Sequence, residues 1–182
     1  RIKPCGGAIP PRMIRDFDIP DSQIVAKIRG AHIVSPAARR IDMPIQEEGY
    51  VGMVDRGPFD EWLRTRAAEA GAIRCTGTVL RVERDGGPGA IVVYRDAERM
   101  EARLRARLVI GADGANSQIA AEVPSRAPPL VFAYHEIVRS PAANPAKAHF
   151  DPHRCDVYYD GRVSPDFYGW VFPHGATTSI GV

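Results

Sequence analysis

The chain has 182 residues with 45% hydrophobic and 25% charged side chains, a balance that is typical of globular proteins. Its net charge of +2 is too small to indicate nucleic-acid binding, and no apolar run approaches the roughly 18 residues of a membrane helix. Three widely spaced cysteines do not indicate a disulfide framework and favour a reducing, cytoplasmic compartment. Because the chain opens on Arg1 and closes on an apparent strand at residues 179–182, we interpret it as an internal fragment.

A loop rich in proline and glycine comes first, at residues 3–12. Gly6 and Gly7 would let the backbone approach a phosphate or a flat ring closely, although a rigid loop alone also explains this composition. The next predicted elements are a short helical turn and two strands with alternating apolar side chains. They lie at residues 12–17, 24–35 and 38–45.

The clearest predicted helix begins near Pro58 and ends before Gly71, with apolar residues at helical spacing between them. Arg56 precedes this helix and could donate a planar fork of N–H groups to an anionic cofactor. An ion pair between this arginine and a neighbouring carboxylate, Asp55 or Asp60, explains its presence equally well.

A three-stranded β-meander is predicted next, because three alternating stretches are separated by turn signals. The stretches lie at residues 73–83, 90–94 and 98–105. The arginines clustered in and beside the third stretch are interpreted as a solvated face, with an anion site as the alternative.

A short apolar run at residues 108–110 predicts a buried strand. Asp113 and Gly114 form a turn signal, after which Asn116 or Ser117 can cap a short helix. A strand, a glycine turn and a helix start form the edge of an α/β sheet that contacts dinucleotides, with the carboxylate accepting hydrogen bonds from sugar hydroxyls. An ordinary strand–turn–helix corner is the alternative.

The composition changes at Pro124 and Pro128, which indicates a crossing between domains. Four further strands are predicted beyond this point, at residues 130–138, 155–160, 168–173 and 177–182. Tyr168, Trp170 and Phe172 alternate with period two and therefore share one face of the sheet. These rings either fill a core or wall an apolar pocket. The fold class predicted is mixed α/β (α+β).

Three motifs, in this order, resemble the geranylgeranyl reductase family, within the flavoprotein group that also holds para-hydroxybenzoate hydroxylase. They are the loop with Cys5, Gly6 and Gly7, the segment 110–117, and the aromatic strand 168–173 with Gly181 after it. The resemblance covers essentially the whole chain and is closest to the branch that reduces geranylgeranyl diphosphate or geranylgeranyl-bacteriochlorophyll. It implies part of a Rossmann-like FAD-binding domain with an inserted β-meander at residues 1–124, and part of an antiparallel substrate domain at 125–182.

The resemblance also implies an activity and its residues. NADPH would reduce FAD, and the reduced flavin would saturate C=C bonds of a geranylgeranyl chain to give phytyl, in (bacterio)chlorophyll biosynthesis. It implies FAD contacts at Cys5, Gly6, Gly7, Arg56, Asp113 and Gly114, and isoprenoid contacts at Tyr168, Trp170, Phe172 and Pro173. An apolar channel suits an isoprenoid, which is held by burial rather than by hydrogen bonds. The expected location is the cytoplasm, at the periphery of the photosynthetic membrane, and neither metal nor nucleic acid is an expected partner.

Departures from the family pattern limit these expectations. The sequence lacks the Gly-x-Gly-x-x-Gly phosphate loop and the later Gly-Asp motif, so we expect the fragment alone to be inactive. The proton for the second alkene carbon has Cys5 as a candidate donor and bulk water as the alternative. His174 stands where many relatives carry Lys, and it is expected in an exposed loop, where it could also donate a proton or contact a phosphate.

Three other functions remain open at this stage. The first is a flavin-dependent aromatic hydroxylase of the same group, and the second is a non-enzymatic module that binds an isoprenoid or pigment. The third is a metal protein that uses His153 and Cys155 with Cys75 or His135, although that spacing matches no zinc pattern.

Overall fold

The computed structural model describes residues 5–45, 49–84, 86–122, 129–141 and 150–182. It divides into two compact units. Unit 1 combines Arg1–Arg66 with Val131–Val182, and unit 2 is Ala67–Leu130. The motif residues Lys3 and Pro4, and the predicted crossing at Pro124 and Pro128, lie outside the described residues.

Unit 1 contains two sheets, whose strands come from distant parts of the chain. The small sheet has the order β1 (Ala8–Ile9), β5 (Val51–Met53), β2 (Ala26–Ile28). The large sheet has the order β4 (Arg40–Pro44), β3 (Gly30–Val34), β10 (Arg154–Tyr158), β11 (Gly169–His174), β12 (Thr177–Gly181), β9 (His135–Arg139). Neighbours in both sheets are antiparallel except β3 and β10, which run parallel.

The large sheet joins the two segments to which the sequence assigns separate domains. Strands β3 and β4 come from residues 1–124, and β9 to β12 come from residues 125–182. The mixed α/β fold class is confirmed. The assignment of an FAD-binding role to one segment and a substrate role to the other stays a prediction.

The core of unit 1 consists of two apolar clusters of buried side chains. The first cluster joins the small and large sheets and contains Ile28, Met53, Cys155, Trp170 and Phe172. The second packs a helix against the small sheet and contains Ile9, Ile19, Val54 and Phe59. Alternation along the strands places these residues on inward faces, and burial of their apolar surface is the main source of stability.

Three helices are described, with a 3-10 turn at Asp21–Gln23 between the first two: α1 (Pro11–Asp16), α2 (Arg56–Glu69) and α3 (Gln118–Ala121). The predicted helix near Pro58 is α2, and Gly71 ends it in a left-handed conformation with φ of 96°. Such a residue closes a helix because glycine adopts positive φ without a steric penalty. No described helix is long and apolar enough to cross a membrane.

The predicted meander forms a three-stranded antiparallel sheet in unit 2. It consists of β6 (Thr78–Arg84), β7 (Ala90–Arg95) and β8 (Glu101–Ala106). Val93 is fully buried in the middle strand, with Arg81 and Arg103 opposite it on the two sides. Both arginines form ion pairs with Glu83.

Two strand predictions are wrong. Residues 108–110 form no strand, and Leu108 and Ile110 are 76% and 79% exposed. An apolar run becomes a strand only when another strand pairs with it, and no described residue does so here. The predicted strand 130–138 begins only at His135. Its first part includes Phe132, which is 88% exposed.

Candidate functional site

A cavity of about 380 Å³ in unit 1 brings two of the predicted site residues together. Its walls come from the first loop, the start of α2, and the edges of β9, β11 and β12. The lining residues are Cys5, Val54, Asp55, Arg56, Gly57, Pro58, His135, Ile137, His174 and Thr177. The cavity is therefore the candidate functional site.

Gly7 sets the shape of the loop at this cavity. Its φ is 70°, a conformation that residues with a side chain rarely adopt. A Cβ at this position would lie 2.3 Å from the Val54 carbonyl oxygen and 2.9 Å from His174 Nε2. The Val54 N–H donates to the Gly7 carbonyl at 2.9 Å. Only glycine lets the loop approach β5 and the histidine this closely.

Two further glycines receive the aromatic rings of β11. A Cβ on Gly6 would lie 2.3 Å from Cδ2 of Phe172, and one on Gly181 would lie 2.1 Å from Cζ2 of Trp170. Each ring therefore packs directly on a backbone. The sequence motifs around Cys5 and around residues 168–173 are brought together by this packing.

The predicted isoprenoid-contacting residues are largely part of the core. Trp170 and Phe172 are 4% and 8% exposed, and Pro173 is fully buried. Tyr168 is partly buried, and its ring centroid lies 6.0 Å from that of Trp170. The prediction that these rings share a face agrees with the structure. A role in holding substrate stays a prediction.

Arg56 both pairs with Asp60 and lines the cavity, so the two interpretations of this residue are compatible. Its Nε and Nη2 donate to the two Asp60 carboxylate oxygens at 2.8 and 3.1 Å. This bidentate pair is the main cause that raises the pKa of the guanidinium, and a contact with the Cys5 thiol adds to it. The fork is thereby held at the cavity, because a two-point ion pair fixes its orientation.

His174 is buried, contrary to the expectation of an exposed loop histidine. It is the last residue of β11 and 8% exposed. Its Nδ1 lies 2.9 Å from the Phe172 carbonyl oxygen. Since a carbonyl oxygen can only accept, Nδ1 carries a proton and donates it to this bond.

His135 is a cavity residue that the sequence did not predict as part of this site. Its Nδ1 lies 3.3 Å from the Ser179 hydroxyl, which also accepts a bond from Trp170 Nε1 at 3.1 Å. His135 stands opposite Gly181 in the register of β9 and β12. A histidine within a predicted strand was the available signal, but only the strand order brings it to the cavity.

Asp113 and Gly114 lie in unit 2 and are described separately from the cavity. Gly114 has a φ of 87° and makes the predicted turn. The Asp113 carboxylate accepts from the Ser117 hydroxyl and from the N–H of Gln118 at 2.8 Å. Ser117 is the cap of α3, as predicted.

These hydrogen bonds, the Ser117 bond first among them, lower the pKa of Asp113. A carboxylate has about four acceptor sites. Asp113 uses these sites within the turn, for the Ser117 hydroxyl, for the N–H groups of Gln118 and Ile119, and for its own backbone.

The described ranges contain no cluster of side chains suited to a metal ion. No group of three His, Cys, Asp or Glu side chains there could hold a metal ion. The cysteines named for such a site differ in environment, since Cys155 is buried and Cys75 is exposed.

Comparisons with known proteins identify relatives over the whole chain. A family model described as an FAD binding domain matches residues 23–136, more than half of the chain. Geranylgeranyl diphosphate reductase of Rhodobacter capsulatus is 64% identical over 185 residues, covering 100% of this chain and 46% of that protein. The chloroplastic geranylgeranyl diphosphate reductase of Oryza sativa is 36% identical, covering 98% of this chain and 40% of that protein.

A solved structure has the same fold. The geranylgeranyl bacteriochlorophyll reductase-like protein of Thermoplasma acidophilum matches with a TM-score of 0.77 and 24% identity, over 98% of this chain and 46% of that one. The chain thus spans less than half the length of the relatives it matches. The resemblance to geranylgeranyl reductases inferred from the motifs is confirmed.

Proposed function

This chain belongs to the family of FAD-binding domains, and we propose on this premise that the whole protein is an FAD-dependent geranylgeranyl reductase. It would use NADPH to saturate C=C bonds of a geranylgeranyl chain, in (bacterio)chlorophyll biosynthesis. The observation that carries the proposal is the 64% identity, across all of this chain, with a relative that is named geranylgeranyl diphosphate reductase.

The residues of the cavity fit a flat, polar cofactor ring. Gly6 and Gly7 let the first loop pack closely on Phe172, Val54 and His174, the last two of which line the cavity, and the Arg56 fork is fixed there by Asp60. The start of α2 adds backbone N–H groups that have no partner within the helix. Bound FAD would supply the hydride that it receives from NADPH. Arg56 and the helix start would stabilise negative charge on the cofactor, and the glycines would hold the first loop, with Cys5, at the edge of the cavity.

Asp113 would accept a hydrogen bond from a sugar hydroxyl of the same cofactor. The bonds from Ser117, Gln118 and Ile119 support this role by holding the carboxylate in one orientation, and the sugar hydroxyl would replace one of them. Gly114 would keep the turn free of a side chain at this point. Both assignments rest on the resemblance and on the local geometry of the turn.

The aromatic strand β11 would support the site that holds the isoprenoid. Trp170 and Phe172 would form its base from within the core, the less buried Tyr168 would contact the chain, and Pro173, on the opposite face of β11, would fix the strand in place. The surface of a geranylgeranyl chain is almost entirely apolar, so burial against such rings would supply most of its binding energy. We propose that the substrate is either the free diphosphate or the bacteriochlorophyll ester, taken up by a protein at the periphery of the photosynthetic membrane.

The test uses the full-length protein under anaerobic conditions. NADPH is added first and geranylgeranyl-bacteriochlorophyll or geranylgeranyl diphosphate second, while the flavin absorption band is followed and the lipid is analysed by mass spectrometry. We expect bleaching by NADPH, and recovery of the band as the lipid gains two hydrogens per double bond.

Each other outcome contradicts a distinct part of the proposal. A colourless protein that binds the lipid would point to an isoprenoid-binding module. A flavin that bleaches with NADPH but does not respond to either lipid would favour an aromatic hydroxylase. Reduction by NADH alone would contradict the assignment of NADPH.

A further inference from the structure

Reduction of a C=C bond needs a proton as well as a hydride, and the candidate cavity offers few groups that can give one. The titratable or charged residues that line it are Cys5, Asp55, Arg56, His135 and His174. Arginine does not release its proton in proteins, and an ionised carboxylate only accepts. The choice therefore falls among one thiol and two histidines.

The contacts of Cys5 favour a sulfur that accepts. The Gly7 N–H donates to its Sγ at 3.5 Å, and the Arg56 guanidinium also faces this thiol. Both neighbours are donors, and both stabilise electron density on the sulfur. Cys5 Sγ is thus engaged as an acceptor by two donors of the chain itself.

His174 has the geometry of a proton carrier with one fixed and one exchangeable nitrogen. Its Nδ1–H is committed to the Phe172 carbonyl oxygen at 2.9 Å, so protons enter and leave only at Nε2. This Nε2 lies 2.9 Å from where a Cβ of residue 7 would be. Because Gly7 has no side chain, Nε2 packs directly against the backbone of the first loop, and His174 also lines the cavity where we place the cofactor ring.

His135 is bound differently. Its Nδ1 faces a hydroxyl, Ser179 Oγ, that can donate as well as accept. Its tautomer is therefore set by a buried network that also includes Trp170 Nε1. A change of charge at His135 would disturb the core, whereas the bond from His174 to Phe172 is the same in both charge states.

We propose that His174 donates, from Nε2, the proton that completes reduction of the double bond; this inference rests on the proposed function. The reduced flavin would supply the hydride that forms a C–H bond at one alkene carbon as the π bond breaks. The Nε2–H bond breaks, its proton forms the C–H bond at the other carbon, and neutral His174 regains a proton from solvent. Arg56 lines the same cavity, and its charge is offset by Asp60.

The kinetic test separates the two half-reactions of the full-length protein by stopped flow. In His174→Gln we expect flavin reduction by NADPH within about twofold of wild type. Reoxidation by the geranylgeranyl substrate should be about 100-fold slower or more, the usual contribution of general acid catalysis. His174→Lys, which again places an ammonium proton there, should recover part of this rate. His153→Gln, a change at an exposed histidine outside this cavity, is the matched control.

The pH profile of reoxidation gives an independent measure. In wild type the rate should fall as rising pH removes a proton from the histidine, and this limb should be absent in His174→Gln. Reoxidation that stays at the wild-type rate in His174→Gln overturns the proposal. The proposal is also overturned if His135→Gln loses the fall of the reoxidation rate at rising pH while His174→Gln keeps it.

A spectroscopic readout tests the same residue without catalysis. Nitrogen-15 NMR of the full-length protein should show His174 Nδ1 protonated throughout the titration, with only Nε2 changing state. A protonated Nε2 with a bare Nδ1 in the neutral form would overturn the proposal, even if the glutamine variant does not fold. If no geranylgeranyl substrate reoxidises the wild-type flavin, the proposed function itself fails. The NMR result does not depend on that outcome, so the two failures can be told apart.

Discussion

At the scale of single residues, missing side chains define the candidate site as much as present ones do. Gly6 and Gly181 each receive an aromatic ring of β11, and Gly7 makes space for both the Val54 carbonyl and His174. Each of these close approaches needs the hydrogen atom of glycine in place of a Cβ. Arg56 lines the same cavity and is held there by its two bonds to Asp60.

Gly7→Ala should lose the cofactor as well as stability. Adopting positive φ costs a residue with a Cβ roughly 1–2 kcal/mol, and the new methyl group would also overlap the Val54 carbonyl oxygen. We expect a lower melting temperature and a reduced ratio of flavin to protein in the purified full-length variant.

Gly86→Ala is the matched control for this change. Gly86 has nearly the same φ, 71°, but no atom within 4 Å of the added Cβ. It should show the cost of backbone strain alone and keep its flavin. Equal flavin content in the two variants would contradict the role assigned to the loop.

Cys155 should be unreactive in the native protein. It lies in the core, and burial raises the pKa of its thiol to about 12. Roughly one thiol in 10⁴ would then be ionised at pH 8, and only the thiolate reacts with alkylating agents. Mass spectrometry after iodoacetamide treatment should find Cys155 unmodified before denaturation in guanidinium and modified after it. Rapid modification in the native state would contradict the packing of the first core cluster.

At the scale of elements, strands and helices that carry their own signals were predictable. Helix α2 has internal helical spacing and a glycine stop, and the meander strands β6 to β8 alternate between clear turns. The strand β11 was predicted from the period of its three aromatic residues, and the structure places these on one face. Local pattern suffices where the element itself decides which face is buried.

The failures have the opposite character. The run at residues 108–110 is as apolar as a buried strand, but no described strand pairs with it and its side chains are exposed. His174 was expected in a loop after the predicted strand 168–173, yet β11 extends through it and pairs it with Thr177. Both outcomes depend on whether a neighbouring strand pairs with the segment, and a local sequence pattern carries no information about that neighbour.

Helix α2 offers a test of the cofactor role of Arg56. Arg56→Ala removes a charge-assisted donor from the cavity, and such bonds contribute about 1.5–3 kcal/mol. We expect the full-length variant to bind FAD about 10- to 100-fold more weakly, measured by quenching of flavin fluorescence.

Arg64→Ala on the same helix is the control. Arg64 is half exposed and pairs with Glu61 at 3.2 Å, a surface pair of small energetic value. Its FAD affinity should equal that of wild type. A similar loss in both variants would show that α2, rather than the Arg56 fork, is responsible.

At the scale of the whole molecule, the decisive feature is the parallel pairing of β3 with β10. This pair connects Gly30–Val34 to Arg154–Tyr158 and so builds one sheet from both ends of the chain. No periodicity in either segment specifies a partner so distant in sequence, because pairing at this range is settled by the packing of the whole sheet. The same order brings His135 to the cavity, which explains why the sequence did not assign it there.

Acid should destabilise the full-length protein as carboxylates lose their partners. Arg162 hydrogen bonds lower the pKa of Asp160 to about 2, and other bonds lower the pKa of Asp21, Glu83 and Asp113. A carboxyl group with a lower pKa in the folded state stabilises the fold above its unfolded pKa, and this contribution disappears as the pH falls. We therefore expect stability to decline from about pH 5 down to about pH 2.

Asp160→Asn isolates one of these contributions. The variant should be slightly less stable than wild type at pH 7 and equal to it near pH 2, because the carboxylate that Arg162 stabilises is then protonated in both states. The difference should be small and should shrink in 1 M salt, since this pair is at the surface. Asp166→Asn is the control, because it removes a charge from a residue close in sequence that forms no ion pair with the described part of the chain. Urea unfolding followed by circular dichroism measures both variants, and a difference for Asp160→Asn that stays constant from pH 7 to pH 2 would contradict the assigned ion pair.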